Sequence, residues 1–358
     1  MIRPKEKTQW GVPKFYRSGN AADFDYRAKP DALLAEAVDW RALQSIKPSG
    51  NDTYRTHLLV IDAQKDFCFP EGSLFVGGRS GTGAIDDNDR IAQFIYRNLG
   101  VITELTCTLD THFPYQIFFP AFWLDENGNP PPAHSMITTA EVAAGSFRPN
   151  PAVAWWLCNG NVGWLQEQVE FYCGELEKAG KYTLYLWPPH CLLGSPGHSL
   201  AGVIEEARLF HSFVRGAKNG IEIKGGNALT ENYSVLAPEV LGRHDGKPLA
   251  QRNTSFVKTL LDADAVIIAG QASSHCVKST IEDLLGQIES VDRDLAKKVY
   301  ILSDCMSAVA VPDASSPGDF VFDFTDEAER ALDRFGSAGM NVVESTVPLA
   351  DWAGIKLN

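Results

Sequence analysis

Three residues of different chemistry each follow an apolar run. Cys276 comes six residues after Gly270 in Val266-Ile267-Ile268-Ala269-Gly270-Gln271-Ala272-Ser273-Ser274-His275-Cys276-Val277. The apolar run reads as a buried strand, and Cys276 opens a predicted helix reaching about Gln287. The thiol then sits on a helix N-terminus, where the dipole and free amides favour thiolate. A thiolate at such a turn is a nucleophile candidate with backbone N–H groups near enough to hold an oxyanion. The bland alternative is a small buried hydrophobe, the usual role of a free cysteine. Asp62 closes Leu58-Leu59-Val60-Ile61, and Lys224 closes Ile221-Glu222-Ile223. Taken singly, the aspartate reads as a turn cap and the lysine as a solvated side chain. Together with Cys276 they place an acid, a cation and a thiol at the C-terminal ends of three strands. Ligands bind there in parallel sheets.

A second group points to a metal. Asp110-Thr111-His112 ends another apolar run, and alternate residues of an extended chain share a face. His190 follows a short strand in Trp187-Pro188-Pro189-His190-Cys191, and His134 offers a further ligand. Nitrogen and oxygen donors of this kind suit Zn²⁺ foremost, with Fe²⁺ or Mn²⁺ as alternates. An isolated Asp-x-His is weak, because a hydrogen-bonded histidine is the commoner finding. Cys191 reads as packing, and His198, His211 and His244 have no ligand context.

The elements that must position these groups alternate between strand and helix. Strands are predicted at 58–61, 101–109, 182–186, 220–223, 266–269, 299–302 and 341–343. Helices are predicted at 85–99, 162–178, 200–215, 254–261, 276–287 and 328–335. This alternation predicts a three-layer α/β/α fold around a central, mostly parallel sheet. Residues 1–56 read as an N-terminal extension with one helical stretch at 32–42, and 57–358 as a single domain. Residues 113–160, rich in Pro and aromatics, read as a long insertion without periodicity. No nucleotide-phosphate loop of the G-x-G-x-x-G or Walker type occurs.

The chain has 358 residues, 44% of them hydrophobic, enough for a large core. Its net charge of −13 argues against nucleic acid and anionic membrane as partners. No apolar run approaches a membrane span, and no apolar signal segment follows Met1. Seven cysteines without framework spacing indicate a reduced, cytoplasmic protein. Self-association is left open.

The segments Leu59 to Cys68 with Glu71-Gly72-Ser73-Leu74, Asp110-Thr111-His112, Trp187 to Cys191 with Gly194 to Gly197, Lys224-Gly225-Gly226 with Tyr233-Ser234, and Gly270 to Val277 occur in one order. As a set they resemble the isochorismatase-like cysteine hydrolase superfamily, most closely its nicotinamidase/pyrazinamidase branch. The resemblance implies a triad of Asp62, Lys224 and Cys276 and a metal held by Asp110, His112 and His190, with His134 as a further ligand in some members. It implies a cis peptide at Gln271–Ala272 and an oxyanion hole from the N–H groups of Ala272 and Cys276. The activity implied is hydrolysis of a small carboxamide through a Cys276 thioester, nicotinamide first, as in pyridine nucleotide salvage. Asp62 would take the thiol proton, while Lys224 would keep Asp62 ionised and favour the thiolate. Phe67, with an aromatic drawn from Phe113, Phe118, Phe119, Phe122 or Trp123, would stack on the substrate. Another amide or ureido compound is the alternative substrate, and a non-catalytic binding protein the alternative class. The chain departs from the family in its length and in having Ser274 where an acidic residue usually stands two positions before the nucleophile.

Overall fold

The computed structural model describes residues 9–180, 182–313, 315–316 and 318–357. Six strands form the central sheet: β1 (Thr56–Ile61), β2 (Ile102–Asp110), β3 (Asn219–Lys224), β4 (Ala265–Gly270), β5 (Val299–Leu302) and β6 (Asn341–Val343). Their order is β6-β5-β4-β1-β2-β3, and every neighbouring pair is parallel. β1 and β4 are buried along their whole length, as unbroken apolar runs require when helices cover both faces. The chain builds outward from β1 through β2 to β3, then returns to the other side of β1 for β4, β5 and β6. The order therefore reverses between β1 and β4, which makes the crevice beyond their C-terminal ends the favoured binding position.

One face of the sheet carries α1 (Pro30–Gln44), α2 (Gly83–Arg97) and α4 (Gly202–Arg215), sharing a core with Leu58, Val60, Ile267 and Ala269. The opposite face carries α5 (Thr254–Asp262), α6 (Cys276–Val291) and α7 (Thr325–Ser337) over Leu59, Ile61, Val266 and Ile268. Alternate residues of β1 and β4 thus enter opposite cores, so a one-residue slip would exchange the two sets. The expected three-layer α/β/α architecture is borne out. α6 buries Cys276, Val277, Thr280, Ile281, Leu284 and Ile288 at helical spacing, so its first residue is fixed by its own packing. Residues 9–51 lie against the first face: Trp10, Tyr16, Leu33 and Ala37 are buried in its core.

The aromatic segment after β2 is more structured than its lack of periodicity suggested. Residues Trp123–Asp125 pair with Phe147–Pro149, and short helices span Thr139–Ala144 and Pro151–Cys158. The first of these helices is closed by a Thr138/Glu141 capping box and the second by Asn150. With α3 (Val162–Lys178) they enclose a separate core of Ile117, Phe119, Phe122, Trp123, Leu165 and Val169. The strand expected at 182–186 shortens to Leu184–Tyr185, which pairs antiparallel with Met136–Ile137 outside the main sheet. A hairpin of Ala310–Pro312 and Phe320–Asp323 was not foreseen. Among the described residues no helix is long and apolar enough to cross a membrane.

Candidate active site

Asp62, Lys224 and Cys276 each stand at or just past the end of a sheet strand, and the sheet brings them together. Lys224 Nζ lies 2.9 Å from Asp62 Oδ2, 3.0 Å from Asp110 Oδ1 and 3.6 Å from Cys276 Sγ. It also donates to the Asn232 carbonyl at 3.0 Å. All three triad side chains are buried. The Thr108 hydroxyl donates to Asp62 Oδ1 and accepts the Asp62 N–H at 2.9 Å, which fixes the carboxylate from the neighbouring strand β2.

Burial raises the pKa of Asp62, with Lys224 opposing it. Burial opposes the charge of Lys224 too, yet Asp110 and Asp62 hold its pKa well above the ordinary value. The Cys276 thiol is pushed well up by burial, against Lys224. Burial thus opposes the thiolate expected at the helix N-terminus, and Lys224 favours it. The thiol shares a hydrogen bond with Asp62, whose raised pKa suits it to receive that proton.

β4 ends in Gly270 at φ +116, where a Cβ would meet the Ile61 carbonyl oxygen at 2.0 Å. Only glycine lets β1 and β4 approach this closely. The Gln271–Ala272 peptide is cis, as the resemblance implied. Neither the Ala272 nor the Cys276 N–H takes part in a backbone hydrogen bond among the described residues, whereas the Ala272 carbonyl accepts from His275 and Val277. Gln271 is held by Asp87 of α2, which accepts its side-chain amide at 2.9 Å. Ser274, in place of an acidic residue, has its hydroxyl 2.8 Å from His275 Nδ1 and accepts from the Val309 N–H.

Asp110, His112 and His190 meet beside the triad, with one ligand atom from each within 4.8 Å of the others and all three buried. His112 Nδ1 lies 3.3 Å from the Gly225 carbonyl and His190 Nδ1 lies 2.7 Å from the Pro188 carbonyl. Each Nδ1 thus faces a backbone carbonyl and each Nε2 faces Asp110 Oδ2, at 2.8 and 3.6 Å. Asp110 Oδ1 is meanwhile taken by Lys224. Two imidazoles and a carboxylate so oriented fit a divalent ion such as Zn²⁺. Gly225, at φ +86, leaves room for them: a Cβ there would meet His112 Cε1 at 2.6 Å.

His134 does not join this group. It is exposed, at φ +71, and its Nδ1 is 2.8 Å from the Tyr185 hydroxyl. The chain turns there to form the antiparallel pair with Leu184–Tyr185, which carries the imidazole outward.

The thiol opens on a cavity of about 50 Å³, room for a few waters at roughly 10–15 Å³ each. Phe67 and Phe118 line it, with Trp187, Tyr233 and His275. Phe67 packs 5.4 Å from the His190 ring and Phe118 4.9 Å from the His112 ring. Phe119 packs behind the two histidines, Phe122 and Trp123 belong to the separate aromatic core, and Phe113 faces Trp156.

Sequence reasoning missed three contributors. Gln64 clamps the Asp110 backbone, accepting its N–H at 2.7 Å and donating to its carbonyl at 2.8 Å. Its signal was present, two residues past Asp62. His275 is caged by Trp187, Tyr233 and Phe324, and burial lowers it to about 4. Glu231 lines the cavity and had no sequence signal.

No family model matches the chain, and no curated protein does. Several solved structures are similar to it. The yeast nicotinamidase Pnc1p bound to the inhibitor nicotinaldehyde is 18% identical over 81% of this chain and 99% of its own, with a TM-score of 0.49. PnC1 from L. infantum in complex with nicotinate is 19% identical over 82% and 95%, at 0.44. The pyrazinamidase of Pyrococcus horikoshii in complex with zinc is 18% identical over 81% and 99%, at 0.40.

Proposed function

We propose that the protein is a cysteine amidohydrolase of the isochorismatase-like kind, releasing ammonia from a small carboxamide, with nicotinamide as the substrate. The observation that carries this reading is the convergence of a thiol, a carboxylate and an ammonium on one buried cavity. A protein that only bound its ligand would have no need of all three. In this reading residues 57–358 form the catalytic domain and residues 1–56 an extension of it.

The Cys276 proton passes to Asp62 as sulfur attacks the amide carbon. The carbonyl electron pair moves onto oxygen, facing the N–H groups of Ala272 and Cys276. Collapse breaks the C–N bond, and the proton on Asp62 leaves with the departing ammonia. Asp62 then draws a proton from water, which cleaves the thioester and frees the carboxylic acid and the thiol. Lys224 offsets the charge of Asp62 in the states where it is ionised. A divalent ion held by Asp110, His112 and His190 would supply an electrophilic anchor for a ring nitrogen or its water. Phe67 and Phe118 would orient a planar ring against that anchor, a positioning role.

A second reading keeps the chemistry and changes the substrate to another small amide or ureido compound. The cavity walls of Phe67, Phe118 and Trp187 would admit other small planar amides as well. The test is ammonia release from nicotinamide, with Cys276→Ala as control. Release that disappears in the variant supports the proposal. No release from folded, zinc-loaded protein, alongside release from other amides, would select the second reading.

A further inference from the structure

One buried carboxylate near the cavity has no part in that chemistry. Glu231 is 2% exposed, and three phenols donate to it. Tyr172 and Tyr182 reach Oε2 at 2.8 and 3.1 Å, and Tyr233 reaches Oε1 at 2.9 Å. Tyr172 lies on α3 and Tyr182 just after it, so the contact ties the aromatic region to the loop that follows Lys224.

The bonding leaves little freedom. The Tyr172 oxygen already accepts the Glu231 N–H at 3.0 Å, and the Tyr233 oxygen already accepts the Trp187 indole N–H at 2.7 Å. The Tyr172 and Tyr233 hydrogens are therefore committed to Glu231. An ionised carboxylate accepts all three without bringing a hydrogen of its own, whereas a protonated acid or a primary amide adds hydrogens that need acceptors. Burying such a charge is costly, and charge-assisted hydrogen bonds offset the cost. The next residue, Asn232, gives its carbonyl to Lys224 Nζ, and the one after, Tyr233, lines the thiol cavity.

We infer that Glu231 is a positioning residue of the proposed reaction: its ionised carboxylate gathers Tyr172, Tyr182 and Tyr233, and the segment so fixed holds the Asn232 carbonyl on Lys224 and Tyr233 in the cavity wall. The inference rests on the amidase reading for its role in turnover, but the geometry also makes a prediction for the thiol alone. Burial raises Glu231 to about 7, and the groups facing it are the three phenols and Glu239, whose charge acts in the same direction. Below that pH the carboxyl takes a proton, a phenol hydrogen loses its acceptor, and the segment loosens. Activity should therefore fall with acid through a step near pH 7.

The experiment compares wild type with Glu231→Gln and Tyr172→Phe, reading kcat and KM from pH 5.5 to 8.5, thermal unfolding, and the rate of Cys276 alkylation by iodoacetamide mapped by mass spectrometry. Glu231→Gln should lower kcat roughly tenfold or more at pH 8 with a smaller change in KM, change the alkylation rate, and lack the acid step. Tyr172→Phe removes a donor remote from the cavity. It should move the step to higher pH, because the carboxylate loses a stabilising hydrogen bond. If Glu231→Gln does not fold, the Tyr172→Phe shift decides. A wild-type profile without the step, or a step that Tyr172→Phe leaves in place, overturns the inference. So does a folded Glu231→Gln with wild-type kcat and alkylation. If wild type releases no ammonia from any amide, the amidase reading fails, and the same pH step in alkylation still tests Glu231.

Discussion

The strand-end rim and the aromatic region are built on opposite terms. At the rim, Asp62, Asp110, Lys224 and Cys276 are buried charged or reactive groups, and each is compensated by another a few ångströms away. In the aromatic region, Phe122, Trp123, Leu165 and Val169 are buried with no such debts. Rim residues must cost stability that the sheet supplies, because desolvating paired ions gives little net gain. The aromatic core should return stability and touch chemistry only where it reaches the cavity, at Phe118 and Trp187. Glu231 is where the two regions meet, a charge held in place by the phenols of the aromatic side.

That contrast breaks in defined ways. Cys276→Ala should have the largest effect: turnover falls by a factor on the order of 10⁴ or more while circular dichroism and zinc content stay unchanged. Loss of zinc or of fold in that variant would make Cys276 a structural member of the rim. Asp62→Asn removes the proton acceptor and should lower kcat on the order of 10²–10⁴-fold. Wild-type turnover there would remove Asp62 from the proton path. His190→Ala should empty the metal site in elemental analysis and raise KM for nicotinamide by about 10- to 100-fold. His134→Ala should keep both the metal and KM, as its exposed position requires. An inverted result for this pair would reassign the ligands. Phe122→Ala should cost about 3–5 kcal/mol in denaturant unfolding and change kcat only a few-fold. A loss of kcat far beyond the loss of stability would erase the distinction between the regions.

Legibility followed the same division. β1 and β4 were readable because buried parallel strands are unbroken apolar runs, with Asp62 directly after the first and Cys276 six residues after the second. Asp110 and His112 were readable because extended geometry places alternate residues together. His134 misled because a histidine just after a run of prolines carries no information on which way the chain turns. The helices at 139–144 and 151–158 were hidden because each is too short to show a period and depends on its caps and on α3. The Glu231 cluster was invisible because Tyr172 and Tyr182 lie 59 and 49 positions away in the chain.

The sequence by itself determined the layer pattern and which thiol, carboxylate, ammonium and imidazole side chains stand at the strand ends. These depend on local periodicity and on what stands at each strand end. Only the tertiary structure decided the burial of the thiol, the outward placement of His134 and the tie between Glu231 and the loop after Lys224. Desolvation and long-range hydrogen bonding depend on which surfaces close over a group, and no local pattern carries that information.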